Sequence, residues 1–144
     1  MTFEAYLVAF AVDLWVTLHG IAPGRHRRGE IEATAAEVAS TDAGPLEALE
    51  LLGIAAWESG YDASARGRAG ERGRWQVMPP ARSYGAGEAL SRLRRQGIAG
   101  FMGFTRCGEL CEAMAERRTL PAKVYFWSHE PPSRGRVELA TVVP

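Results

Sequence analysis

The chain has 144 residues, of which 47% are apolar and 24% charged, and its formal net charge at pH 7 is zero. This length and balance exclude disorder as the main state and predict a single domain, residues 1–144, around one hydrophobic core. The neutral balance provides no overall attraction to nucleic acid or to an anionic membrane, so neither is expected as a partner.

The first predicted element is a helix over Phe3–His19, ended by Gly20. Its apolar stretch, residues 5–18, is preceded by Glu4, whereas a secretory signal carries positive charge there. The stretch is also interrupted by Asp13 and is too short to cross a bilayer. We therefore expect a buried helix, with neither a membrane span nor a visible signal peptide.

A short basic loop is predicted next, over residues 25–29, followed by a helix over 31–39. Pro45–Ser59 is the strongest helix candidate, because it has a proline in its first turn and a glycine just past its end. It is apolar nearly all round, which indicates a central, buried helix. A loop rich in glycine and arginine then covers residues 61–74.

The second half of the chain is predicted as a short strand followed by further helices. A short strand or an extended stretch is expected at 75–78, and helices are expected at 87–96, 101–107, 109–117 and 122–129. Residues 137–143 are apolar and β-branched, and the pattern leaves strand and irregular packing open. The expected fold class is mainly α, a helical domain with a small loop and β region after Pro45–Ser59.

Two cysteines, Cys107 and Cys111, stand four residues apart in a segment with helical periodicity. A disulfide at this helical spacing fits usual bond geometry poorly. Two thiols without a nearby histidine or second cysteine pair do not form a convincing zinc site. We interpret them as ordinary thiols and expect neither a metal nor a cofactor.

Glu58 is the candidate catalytic residue. The residues stacked beneath it on its helix are Leu51, Ile54 and Ala55, all apolar. Burial in such company should raise the pKa of the Glu58 carboxyl, as a general acid working near neutral pH requires. Its position alone, however, favours a glutamate at a helix end that turns towards solvent.

The sequence after Glu58 favours the catalytic interpretation. Glu58-Ser59-Gly60-Tyr61 opens the loop, and Gly73-Arg74-Trp75-Gln76-Val77-Met78-Pro79 closes it, with Gln76 eighteen residues after Glu58. This pattern resembles the soluble lytic transglycosylase family of the lysozyme-like superfamily. In that family a helix ends in Glu-Ser, and a Gly-Leu-Met-Gln-like segment follows after a loop. The resemblance covers about residues 46–80 and implies an α+β lysozyme-like fold.

The function that the resemblance implies is cleavage of peptidoglycan strands between N-acetylmuramic acid and N-acetylglucosamine. Glu58 would be the acid and the base of a lytic transglycosylase, which leaves 1,6-anhydro ends. Two alternatives stay open. One is a hydrolytic lysozyme with Asp62 or Glu71 as its second carboxylate, and the other is a non-catalytic wall-binding module on the same fold. The resemblance places the action at the bacterial cell wall, in the periplasm or delivered by phage, and the sequence does not decide between these routes.

The resemblance also implies substrate-binding roles for Ser59 and Gln76, although the Gln76 amide would equally suit hydrogen bonding to the loop backbone. The family's third motif, Tyr-Asn-Ala-Gly-like, has its best counterpart in Tyr125-Phe126-Trp127, where Tyr125 is favoured because it has a hydroxyl. Many members have a serine where this chain has Gly67.

Four arginines make the loop basic, with only Glu71 opposing them: Arg66, Arg68, Arg72 and Arg74. They could hold the lactyl-peptide carboxylates of peptidoglycan, or they could belong to a solvated surface loop.

Overall fold

The computed structural model describes residues 2–102. It contains four helices, α1 (Phe3–His19), α2 (Arg25–Ala39), α3 (Pro45–Ser59) and α4 (Ala86–Met102). The expected mainly helical class is confirmed for this part of the chain. The predicted helices at 109–117 and 122–129, most of the one at 101–107, the tail at 137–143, both cysteines and Tyr125 lie outside the described residues.

Helix α1 begins and ends where its sequence predicts, because both ends carry local capping signals. The Thr2 side chain accepts a hydrogen bond from the Ala5 N–H at 3.0 Å, and Gly20 ends the helix in the left-handed conformation at φ 76°. Its buried face contributes Phe10 and Leu14 to the core. Within residues 2–102, none of the helices has the length and apolarity needed to cross a membrane.

The prediction of a basic loop at 25–29 is wrong, since these residues form the first turns of α2. Arginine is a good helix former, and Arg28 pairs with Glu32 one turn on at 3.3 Å. Arg27 donates to the Gly60 carbonyl at 2.6 Å and lies over the Trp15 ring. The segment is helical because its charges find partners along and across the helices, which its composition alone does not reveal.

Helix α3 is the central element, as its apolar sequence predicts, and packs against the other three helices. At its start Glu47 accepts a hydrogen bond from the Gly44 N–H at 2.9 Å, which closes a capping box. Leu51, Leu52 and Ile54 are fully buried in the middle of the helix. The buried residues of α3 all fall between Ala48 and Ala56, so the helix is anchored in the core nearly as far as its last turn.

The predicted strand at 75–78 is wrong. The described loop contains only isolated bridges, which pair Arg66 with Arg72 and Arg72 with Val77. Arg72 and Val77 exchange both backbone hydrogen bonds at 3.0 Å, and Gln76 inside this turn has φ 48°. A residue in the left-handed region interrupts extended pairing, so the apolar positions here fold into a turn.

Helix α4 covers the predicted helix 87–96 and continues beyond it to Met102, with a break at Gly97 (φ 70°, ψ 171°). Its exposed Arg94 pairs with Glu47 at 2.8 Å and with Asp42 at 3.1 Å. These contacts link α4 to the start of α3, at the other end of that helix from Glu58.

Candidate active site

Glu58 lies in the last turn of α3 and is half-buried. The three residues stacked beneath it, Leu51, Ile54 and Ala55, have no exposed surface. Glu58 therefore follows a fully buried, apolar stretch of α3, in the turn that leads into the loop.

The chain leaves Glu58 through two successive left-handed residues, Gly60 at φ 62° and Tyr61 at φ 69°. Their N–H groups donate back to the helix, to Ala56 and Ala55 respectively. A non-glycine residue with positive φ costs on the order of 1 kcal/mol and persists only when its surroundings hold it. Here the holding contact is burial, because the Tyr61 side chain is wholly enclosed.

Tyr61 is an anchor of the loop, although sequence reasoning used it only as part of a motif. Its hydroxyl is buried without a hydrogen-bond partner in the described part of the chain. Burial raises the pKa of this phenol well above its ordinary value, so it stays neutral.

Ser59, predicted to bind substrate, connects the helix to the returning loop. Its hydroxyl lies 3.1 Å from the Ala55 carbonyl and 2.7 Å from the Arg74 carbonyl, and donates to this pair. The proton of the hydroxyl is thus used within the protein. The contact holds the segment that carries Gln76 against the end of the helix that carries Glu58.

Trp75 makes the second connection between this segment and α3. The indole N–H donates to the Leu51 carbonyl at 2.8 Å, and only 1% of the residue is exposed. A buried indole needs such a partner, and the carbonyl of a helix interior supplies it as a second acceptor contact. Trp75 therefore sets the depth at which the segment sits on α3.

Gln76, the second predicted substrate-binding residue, uses its amide within the loop. Its Nε2 donates to the Gly73 carbonyl at 2.8 Å and to the Ala65 carbonyl at 3.2 Å. Both hydrogen bonds of the Gln76 amide nitrogen therefore go to backbone carbonyls of the loop, as the alternative interpretation of this residue expected. The side chain also lines a cavity of about 210 Å³ together with Val77, Met78, Arg92, Gln96 and Phe101.

Gly67 and Glu71 form a matched pair that sequence reasoning missed. A Cβ added at Gly67 would overlap the Glu71 carboxylate and would lie 3.0 Å from Oε1 of Gln76. The Glu71 carboxylate accepts a hydrogen bond from the Ala69 N–H at 3.1 Å. The lack of a side chain at Gly67 thus makes room for the Glu71 carboxylate. The sequence places the two residues four positions apart but does not show that they share one space.

Asp62, the other proposed second carboxylate, braces the turn. Its Oδ1 accepts from the N–H and the hydroxyl of Ser64, at 2.8 and 2.7 Å. These hydrogen bonds, the hydroxyl first, hold the pKa of Asp62 below its ordinary value. Because Oδ1 is already occupied by two donors of Ser64, the structure gives this carboxylate a bracing role in the turn.

The loop arginines divide into two kinds. Arg74 is largely buried and pairs with Glu37 at 3.0 Å and Glu30 at 3.6 Å, while its Nε donates to the Tyr61 carbonyl. Arg66 and Arg72 line a cavity of about 400 Å³ beside the loop. The residues lining it are Glu37, Ala63, Ser64, Ala65, Arg66, Arg72, Gly73, Arg74, Trp75 and Tyr84. Neither Glu58 nor Gln76 is among them.

The remaining site prediction, Tyr125, lies outside the described residues. Across residues 2–102, no group of three or more His, Cys, Asp or Glu side chains is arranged to hold a metal ion. What the structure brings together is the end of α3 with Glu58 and Ser59, and the segment 73–76 that folds back against it.

No protein-family model, curated protein or solved structure matches this chain. The resemblance to the transglycosylases therefore rests on the sequence of residues 46–80 alone.

Proposed function

We propose that this protein cleaves peptidoglycan glycan strands as a lytic transglycosylase with a lysozyme-like fold, and that Glu58 is its acid and base. The observation that carries the proposal is the 2.7 Å hydrogen bond from the Ser59 hydroxyl to the Arg74 carbonyl. It joins the two halves of the resemblance, the Glu-Ser helix end and the Gly-x-x-Gln segment, in one place. The two parts of the motif therefore lie together at the end of α3.

In the proposed reaction the protonated Glu58 carboxyl donates its proton to the glycosidic oxygen, and the bond from that oxygen to C1 of N-acetylmuramic acid breaks. The N-acetylglucosamine unit leaves with a free 4-hydroxyl. The Glu58 carboxylate then takes the proton from the muramoyl 6-hydroxyl while that oxygen bonds to C1. The 1,6-anhydro ring closes, and Glu58 is protonated again for the next turnover.

The local structure suits this cycle in two ways. Leu51, Ile54 and Ala55, which precede Glu58 on the same face of α3, are apolar and fully buried, so the helix that carries Glu58 is anchored in the core. The hydrogen bonds of Ser59 and Gln76 hold the loop in place before substrate arrives, which reduces the ordering needed on binding. In this proposal Ser59 and the Gln76 donors position the loop, and the Gln76 oxygen is left to accept from substrate.

A hydrolytic outcome is the second candidate, and the placement of Glu71 favours considering it. Its carboxylate is held at Gly67, next to the Gln76 side chain, by the Ala69 N–H. Within residues 2–102, the salt bridges of the structure do not include Glu71. An ionised carboxylate there could orient water for attack at C1, as inverting glycosidases do.

The test is digestion of purified peptidoglycan sacculi followed by mass spectrometry of the released fragments. We expect anhydro-muropeptides from the wild type and a loss of about 10²- to 10⁴-fold in their release by Glu58→Gln. Fragments with reducing ends, released by the wild type and lost in Glu71→Gln, would instead show that the protein is a hydrolase. No release by the wild type between pH 5 and 8 would leave the non-catalytic wall-binding module.

Glu50→Gln is the matched control. Glu50 lies two turns earlier on α3, is half-buried, and burial raises the pKa of its carboxyl. It therefore reproduces the loss of a partly desolvated carboxylate from the same helix. Release by Glu50→Gln should stay close to that of the wild type, and an equal loss in both variants would contradict a specific role for Glu58.

A further inference from the structure

The cavity of about 400 Å³ beside the loop has more positive charge than its own carboxylates neutralise. The charged residues lining it are Glu37, Arg66, Arg72 and Arg74. Arg74 and Glu37 are paired with each other, and Glu37 also accepts from the Ala86 N–H. The salt bridges among residues 2–102 do not include Arg66 or Arg72.

The backbone brings Arg66 and Arg72 to the same face of the loop. They form an antiparallel bridge, flanked by hydrogen bonds from the Gly67 N–H to the Glu71 carbonyl and from the Gly73 N–H to the Ala65 carbonyl. This is the non-hydrogen-bonded type of pair, in which opposite side chains stand closest. Like charges directly opposite each other destabilise a bridge, and a bound anion would relieve that repulsion.

The Arg72 guanidinium is already oriented. It lies over the Tyr84 ring, 5.3 Å from the ring centroid, and Tyr84 lines the same cavity. A cation stacked on an aromatic face keeps its N–H edges available while losing rotational freedom. Less freedom is then lost when an anion binds.

The size of the cavity favours a ligand larger than a simple inorganic anion. Its volume lies within the range of small-molecule sites, roughly 300 to 1,000 Å³, whereas one water occupies about 30 Å³. Two arginine forks match carboxylates in a bidentate manner, and Tyr84 adds an apolar wall. This combination suits a short peptide with a free carboxylate.

We infer that this cavity, with Arg66 and Arg72 as its anion-binding groups, binds the carboxylate-bearing peptide stems of peptidoglycan. The inference rests on the proposed function for the identity of the ligand. It goes beyond that function because the cavity lining includes neither Glu58 nor Gln76. The glycan would occupy the end of α3, and a stem attached to the lactyl group would lie along the basic side of the loop.

The test is calorimetric titration of the Glu58→Gln protein, which keeps the glycan intact during the measurement. Three probes are compared: a muropeptide disaccharide with its peptide stem, the same disaccharide without the stem, and inorganic phosphate. We expect the stemmed probe to bind about tenfold more tightly than the other two. Equal affinity for the stemmed and stem-free probes, or equal affinity for phosphate, would overturn the inference.

The arginine variants locate the effect. When Arg66→Gln and Arg72→Gln are both introduced into the Glu58→Gln protein, the probe with the stem should bind no more tightly than the probe without it. Arg68→Gln is the control, since Arg68 is exposed on the same loop and does not line the cavity. An equal loss in Arg68→Gln would show attraction to the basic loop as a whole and would contradict a built site.

Failure of this inference is distinguishable from failure of the proposed function. If the wild type releases no glycan fragments but the probe with the stem still binds more tightly, the proposed reaction is wrong and the stem site stands. If the wild type releases fragments but the probes with and without the stem bind equally, the stem site is wrong and the proposed reaction stands.

Discussion

Helix α3 and the loop between α3 and α4 are held by different forces. The helix is stabilised by burial of Leu51, Leu52 and Ile54 and by a capping box at its start. The loop also buries Tyr61 and Trp75, but it depends in addition on polar contacts that reach far along the chain, such as Arg74 to Glu37 and Trp75 to the Leu51 carbonyl. Glu58, the candidate catalytic residue, lies in the turn where the helix leads into this loop.

The largest expected change in the free energy of unfolding comes from a substitution in the core of α3. Leu52→Ala removes a fully buried side chain and should lower the free energy of unfolding by about 3 kcal/mol. Urea unfolding followed by circular dichroism measures it. Leu46→Ala, at an exposed position of the same helix, should change it by less than about 0.5 kcal/mol. Similar losses in both variants would contradict the central position of α3.

The next effect is on the loop. Arg74→Met breaks the pairs with Glu30 and Glu37 and should cost about 2 kcal/mol, because two partly buried carboxylates lose their partner. Hydrogen exchange should quicken in residues 61–85 more than within α3. Arg68→Met, an exposed arginine of the same loop, should leave the exchange pattern unchanged. An equal increase in exchange rate in α3 and in the loop would show that the Arg74 ion pairs do not stabilise the loop in particular.

A smaller effect is expected where two residues of the loop share one space. Gly67→Ala pushes away the Glu71 carboxylate, a flexible group, and should cost about 1 kcal/mol as the contact with the Ala69 N–H is lost. Thermal unfolding of a double-mutant cycle checks it. In the Glu71→Ala background the same substitution should cost almost nothing, and an undiminished cost would disprove the pairing.

The smallest effect tests the far end of α3. The Arg94 hydrogen bond lowers the pKa of Glu47 to about 2, from an ordinary value of 4.5. A depressed carboxyl pKa stabilises the fold above the ordinary value, and this stabilisation disappears as the pH falls towards about 2. The stability difference between wild type and Glu47→Gln should therefore be present at pH 7 and vanish near pH 2. Because the pair is exposed, added salt should reduce it at pH 7, and a difference independent of pH would contradict the ion pair.

The helix could be predicted from the sequence because its determinants are local. Pro45, the apolar run and Gly60 specify where α3 begins and ends, and Thr2 and Gly20 do the same for α1. The position of Glu58 after an apolar stretch of α3 followed directly from this periodicity. The break of α4 at Gly97 also falls at the end of the predicted helix 87–96.

The loop could not be predicted in the same way, because its contacts join residues far apart in the chain. Arg27 reaches Gly60, and Arg74 reaches Glu37, across more than thirty residues. The turn at Gln76 replaces the expected strand because its φ is positive, which no local pattern announced. The inward use of the Ser59 and Gln76 hydrogen-bond donors likewise depends on where the loop returns.

The bond from Arg27 to the Gly60 carbonyl has a consequence for motion. The last turn of a helix ordinarily frays, since its carbonyls have no partners within the helix. Here the Arg27 guanidinium of α2 donates to the carbonyl two residues beyond Glu58, which opposes fraying of that turn. We therefore expect the order of the candidate active site to depend on the docking of α2, although α2 is far from Glu58 in sequence.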